Sequence, residues 1–209
     1  MIKFVIFFLI VIFNYKYAFS RNIGETEITT EDGIEVFQEE KYYLLKKNVK
    51  IISDEFELNG NLVKIFFEKD LYDIQELIAS TDVDFKSSAY NIEGKGETLK
   101  FNIQSEEINV TGEKSRLFLE TTEMFSDGSI TVNNLAGSFS IKGSNSKLVS
   151  DEIFITGFII NGILINNNGT REISNLEVQD ENILSIITED TEMFSKKAFY
   201  DKEKSIIEL

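Results

Sequence analysis

Residues 91–112 read NIEGKGETLKFNIQSEEINVTG. Ile92, Leu99, Phe101, Ile103, Ile108 and Val110 are apolar, and Glu93, Thr98, Lys100, Asn102, Gln104 and Asn109 fall between them. Apolar residues at every second position are the mark of a β-strand. Successive side chains of a strand point to opposite faces, so such a segment buries one face and wets the other. A functional surface in this chain is therefore expected on the buried face, where Phe56, Leu58 and Tyr90 of neighbouring runs join the six apolar residues above.

The same pattern recurs in both directions. GIEVF (33–37), VKII (49–52), FELNG (56–60), VKIFF (63–67), DVDF (82–85) and SRLFLE (115–120) precede GSITV (128–132), GSFSIKG (137–143), EIFITG (152–157), GILI (162–165), LEV (176–178) and ILSII (183–187). Asp32-Gly33, Asn59-Gly60, Asp127-Gly128, Asn161-Gly162 and Asn168-Gly169 are expected to form tight hairpin turns with positive φ. DLYDIQELIAS (70–80) is open between a helix capped by Asp70 and a strand. FELNG, YNIEG and FSIKG share one form, and INVTG and IFITG a second. The repeating unit is strand, glycine, strand, glycine, and such units stack into a sheet whose length follows their number. The fold class expected is all-β.

Composition narrows the function. The chain has 209 residues and 42% hydrophobic content, enough for a packed β domain. It opens with MIKFVIFFLIVIFNYKYAFS, where Lys3 precedes an apolar run too short to span a bilayer and small residues follow. That is a secretory leader, with cleavage expected after Ser20 and retention as an anchor the alternative. Cysteine is absent, so an exported chain must be held by its core. The net charge of −15 repels nucleic acid and anionic membrane surfaces. With neither histidine nor cysteine, the usual general base, thiol nucleophile and zinc ligands are missing, so no enzyme, cofactor or metal is expected. Glu39-Glu40, Glu106-Glu107 and Asp180-Glu181 are adjacent pairs pointing to opposite strand faces, which suits a wetted surface better than acid–base catalysis.

ITTEDGIEVFQEEKYYLLKKNVKIISDEFELNGNLVKIFF (28–67) and YNIEGKGETLKFNIQSEEINVTG (90–112) resemble the LptA/OstA-like family of periplasmic lipopolysaccharide-transport proteins. The likeness lies in an opening I-x-x-x-D-G-I-E strand, an N-V-x-I strand, and a later rung in which I-E-G precedes an alternating strand that closes on T-G. It implies an open, twisted β-jelly roll of repeated short antiparallel strands over 21–209, matched best over 28–112. It also implies an apolar groove for lipid A acyl chains, lined by Phe56, Leu58, Tyr90, Ile92, Leu99, Phe101, Ile103, Ile108 and Val110. Each buried methylene contributes about 0.8 kcal/mol, so a gap too wide for side chains to fill would hold acyl chains without specific polar contacts. Lys46, Lys47 and Lys50 would meet the lipid phosphates or simply wet a strand face. Other Lpt-type proteins at both membranes, or further copies of this chain head to tail, would pair with edge strands at Ile34, Val36, Ile206 and Ile207.

From about residue 129 the likeness weakens, leaving extra rungs, a second unit or a divergent end. The strong acidity also departs from what an anionic cargo favours. Retention of the leader would point to an anchored, LptC-like component of the same pathway. A secreted structural or adhesive β-repeat protein remains the alternative from another class, and it would have a filled core.

Overall fold

The computed structural model describes residues 24–69, 73–150, 153–167 and 169–209. The expected leader and the Asp70 cap lie outside the described residues. All regular structure within them is strand, and the fifteen strands form one antiparallel sheet.

The sheet is a meander of V-shaped rungs folded into a front and a back layer. β1 (Glu27–Thr29) and β2 (Ile34–Phe37) are the two arms of the first V. β3 (Tyr42–Ile52), β4 (Phe56–Phe67), β5 (Ile74–Ser87) and β6 (Ile92–Asn102) are each a complete V. β7 (Glu107–Thr111) with β8 (Ser115–Leu119), and β9 (Thr122–Ser126) with β10 (Ser129–Asn133), make the next two. β11 (Ser138–Val149), β12 (Ile153–Asn167), β13 (Thr170–Thr188) and β14 (Glu192–Asp201) follow, and β15 (Ile206–Glu208) adds a half rung. The register shifts at the bend of each long strand, for instance between Lys46 and Val49, Asn59 and Leu62, Ser80 and Val83, and Lys142 and Ser146. Such bulges sharpen bend and twist together.

The sequence runs taken as separate strands therefore fuse. FELNG and VKIFF are the two arms of β4, IFITG (153–157) and GILI those of β12, LEV and ILSII those of β13. Asn59-Gly60 and Asn161-Gly162 lie inside strands rather than in hairpin turns, and neither glycine has positive φ. Gly33 and Gly169 do, at the first bend and in the β12–β13 hairpin. The ambiguous segment is strand from Ile74, because β4 and β6 flank it and pair with it along its length. Tertiary pairing overrides its helical spacing.

At the bend the two layers converge, and the residues facing inward there are small. Val49 is opposite Gly60, Val83 opposite Gly96, Ser115 opposite Ser126, and Ser146 opposite Gly157. A Cβ on Gly96 would lie 2.5 Å from Val110, and one on Gly157 2.8 Å from Val178. The buried hydroxyls are satisfied locally: Ser115 Oγ donates to Gly112 O at 2.9 Å and Ser126 Oγ to Lys142 O at 2.6 Å.

The open side of the V, its mouth, carries the turns. Five of them have four residues and end on a left-handed residue: Lys41, Asn91, Glu106, Gly137 and Ser205. Asn102, Asn133 and Asp201, each just before such a turn, accept a backbone N–H three residues on at 2.7–3.1 Å. That is the Asx route to a turn. Since one of the five carries glycine, this repeat is hidden from a search for glycine dipeptides.

Candidate functional site: the interior between the layers and its two edges

Inward side chains of the front layer form continuous ladders. The row nearest the mouth runs Tyr43, Ile65, Leu77, Phe101, Ile108, Val132, Phe139, Gly162, Leu176, Tyr200, Ile207, each opposite the next. The back layer repeats this with Ile51, Leu58, Phe85, Gly94, Leu117, Met124, Leu148, Ile155 and Ile186. Between the layers these residues form one apolar core that spans the described rungs.

Leu58, Ile92, Leu99, Phe101, Ile108 and Val110 all belong to this interior and are buried, while Phe56 and Tyr90 pack against it at the mouth. Ile103 lies beyond the end of β6, in a turn, and is 38% exposed. The interior is filled rather than gaping. Side chains from the two layers interdigitate, and rings close the mouth: Phe56 stacks on Phe101 and Tyr90 meets it edge-on, both at 6.0 Å between centroids. Burial pushes the Tyr90 phenol above its ordinary pKa, and the carboxylates of Glu106 and Glu55 add to the rise. The expected gap is absent because large residues occupy the wide mouth and glycine or serine the narrow bend, so volume follows the wedge.

Lys46, Lys47 and Lys50 lie on the outer surface, paired with Glu35 at 2.7 Å, Asp32 at 2.9 Å and Glu57 at 3.3 Å. A phosphate at any of them would have to displace a carboxylate. Among the described residues, no group of three or more His, Cys, Asp or Glu side chains is placed to hold a metal ion.

The edges are the second feature. Among the described residues, β1 and β2 pair with β3 on one side only, and β15 with β14 on one side only. Ile34 and Val36 at one end, and Ile206 and Ile207 at the other, are exposed, as are Phe194, Phe199 and Leu209. Sequence reasoning placed Ile34, Val36, Ile206 and Ile207 on edge strands, and of the two ladders it named Phe101, Ile108 and Leu58 but not Tyr43, Ile65, Leu77, Ile51 or Phe85. It left the second half unassigned, although GSFSIKG and IFITG carry the same alternation.

No protein-family model matches the chain, and none of the curated proteins does. Among solved structures it is similar to that of LptH, described as the LptA-homologous periplasmic component of the conserved lipopolysaccharide transport device of Pseudomonas aeruginosa. The TM-score is 0.50 at 9% identity, over 60% of this chain and 94% of LptH. At that identity the likeness concerns backbone architecture alone: the chain has the LptA-like β-jelly-roll fold.

Proposed function

We propose that this chain is a non-enzymatic periplasmic carrier in lipopolysaccharide transport, holding lipid A acyl chains between its layers and joining partners through its edge strands. The observation that supports this most is the unbroken apolar ladder running from one unpaired edge to the other in a fold shared with LptH. A ladder that ends at a free edge can continue into the ladder of the next unit, which gives an acyl chain one apolar path through several proteins. Loading requires the layers to part at the mouth. Phe101 and its neighbours would then exchange contacts with one another for contacts with methylenes, at little net cost in apolar burial.

Two measurements test this. Mass spectrometry of the protein purified from its native envelope should find lipopolysaccharide bound. A photocrosslinking residue at Phe101, which faces inward, should capture that lipid, whereas one at Asn102, on the next face, should not. Equal capture at both positions would overturn the assigned face. The filled interior favours a second reading, a secreted structural β-repeat protein, and the absence of any co-purified or captured lipid would select it.

A further inference from the structure

A cleft of about 320 Å3 lies at the mouth in the second half of the meander. Ile153 on the back lip and Ile173, Leu176, Tyr200 and Ile207 on the front lip give it an apolar floor. Leu176, Tyr200 and Ile207 are also the last members of the front ladder, so the floor of the cleft is the end of the packed interior.

Above it, β12 and β13 outrun their neighbours. Ile163 is the last residue of β12 paired with β11, and Asn175 the first of β13 paired with β14. Beyond those points the two strands pair with each other. A bulge between Ile163 and Leu164 leaves Ser174 without a strand partner and aims the hairpin arm, and Ser174 Oγ donates to Ile163 O at 3.3 Å. The arm crosses to the opposite lip. There the Arg171 N–H donates to Glu120 Oε2 at 2.8 Å, and the Arg171 guanidinium lies 3.9 Å from Glu120 Oε1. Glu120 belongs to the β8–β9 turn of the back layer. Beneath the arm Leu164 is buried and Ile173 packs on the core.

The mouth is thus closed by two different means. In the first half it is sealed by packed rings; here it is closed by an arm without strand neighbours beyond Ile163 and Asn175, tied at its base and flank by the Leu164 N–H to Gly137 O bond and the Glu172–Lys202 ion pair, and held to the opposite lip by Glu120. Segments with few partners open locally at the smallest cost. The volume falls at the low end of ligand pockets, and the apolar floor is ringed by threonine, serine and charged side chains, a mixed lining that suits an amphipathic ligand. We propose that this cleft is the port through which an acyl chain passes between solvent and interior, with the β12–β13 arm as its cover and the Glu120–Arg171 contact as its latch. The proposal rests on the lipid-holding reading above.

The chain has no cysteine, so introduced thiols are the sole ones present. Glu120→Cys combined with Arg171→Cys, joined by a short cleavable thiol crosslinker, ties the arm to the back lip. Uptake of a fluorescent 18-carbon fatty acid should be at least tenfold slower in the linked protein than in the unlinked one, and cleavage of the linker should restore it. Glu120→Asn removes the carboxylate while keeping a residue that tolerates the left-handed backbone at this position (φ 53°), and it should speed uptake several-fold over the unsubstituted protein. Equal rates in linked and unlinked protein, or no acceleration by E120N, would overturn the port and leave the lipid-holding reading intact. Absence of uptake in every form, the unsubstituted protein included, would overturn that reading and the port with it.

Discussion

Phe139 and Gly162 face each other across β11 and β12, and Phe85 and Gly94 do so across β5 and β6. In both pairs the ring lies over the glycine, filling on the neighbouring strand the volume that a missing side chain leaves. A Cβ on Gly162 would come within 2.2 Å of the Phe139 ring, and one on Gly94 within 2.7 Å of Phe85 and 2.9 Å of the Arg116 carbonyl. Gly162→Ala must push a buried ring off its position, an overpacking cost of about 1–3 kcal/mol. Gly60→Ala is the control. It also lies within a strand, but its Cβ would meet nothing closer than 3.7 Å. Alanine in place of Gly60 also narrows the conformational freedom of the unfolded chain, which offsets any loss there. Urea denaturation should therefore show a clear drop in midpoint for G162A and little change for G60A. A Phe139→Leu substitution should relieve part of the G162A loss, because the two residues share one space.

Each four-residue mouth turn is a local unit with its own chemistry, and Asp201 shows how that chemistry depends on pH. Its carboxylate accepts the Lys204 N–H at 3.1 Å and lies 2.7 Å from Lys204 Nζ. The Lys204 side chain first, and its backbone N–H second, hold the carboxyl below its ordinary pKa. A depressed folded value means that the stabilisation is present above the unfolded pKa of about 3.9 and is lost as pH falls through the folded one. Asp201→Asn keeps the acceptor that Asn102 and Asn133 supply in the equivalent turns and removes only the charge. It should melt below the unsubstituted protein at pH 7, and the gap should close as pH falls through the folded value, whereas Asp201→Ala, which also loses the acceptor, should melt lower throughout. These turns also show where reading the sequence stopped. Alternation exposed the buried faces of Leu99, Phe101, Ile108 and Val110, because side-chain period is a property of the strand itself. It missed the bends, since a strand that kinks into the other layer and a strand that ends in a hairpin interrupt the alternation alike, and the pairing across strands is what tells them apart. The port escaped notice for a related reason: Glu120 and Arg171 are fifty-one residues apart in sequence and meet through the aim of a bulge, which no local pattern records.

The meander as a body has two free edges and a charge of −15, and these act on assembly in opposite directions. Unpaired N–H and C=O groups on β2 and β15 recruit further strands, and proline, the simplest block, occurs nowhere in the chain. Pairing of β2 from one copy with β15 from another joins unlike edges, does not close, and yields head-to-tail chains that grow with concentration. Like charge on every copy opposes this, so added salt should lengthen the chains seen by light scattering, up to the point at which repulsion is screened. A contact made of salt bridges would instead weaken. Proline scanning locates the edge. Glu35 and Val36 are neighbours in β2, so one directs its N–H towards β3 and the other towards solvent. Glu35→Pro and Val36→Pro should therefore behave differently. The substitution at the outward N–H should abolish chain growth with the melting temperature nearly unchanged, because it removes a donor that the isolated protomer does not use. The other should lower the melting temperature as well, since it breaks a bond to β3. If the unsubstituted protein scatters as a strict monomer at high concentration in both low and high salt, and crosslinking in the envelope finds no partner at β2 or β15, the bridge is excluded even where lipid capture at Phe101 succeeds, and the chain would act as a lone carrier.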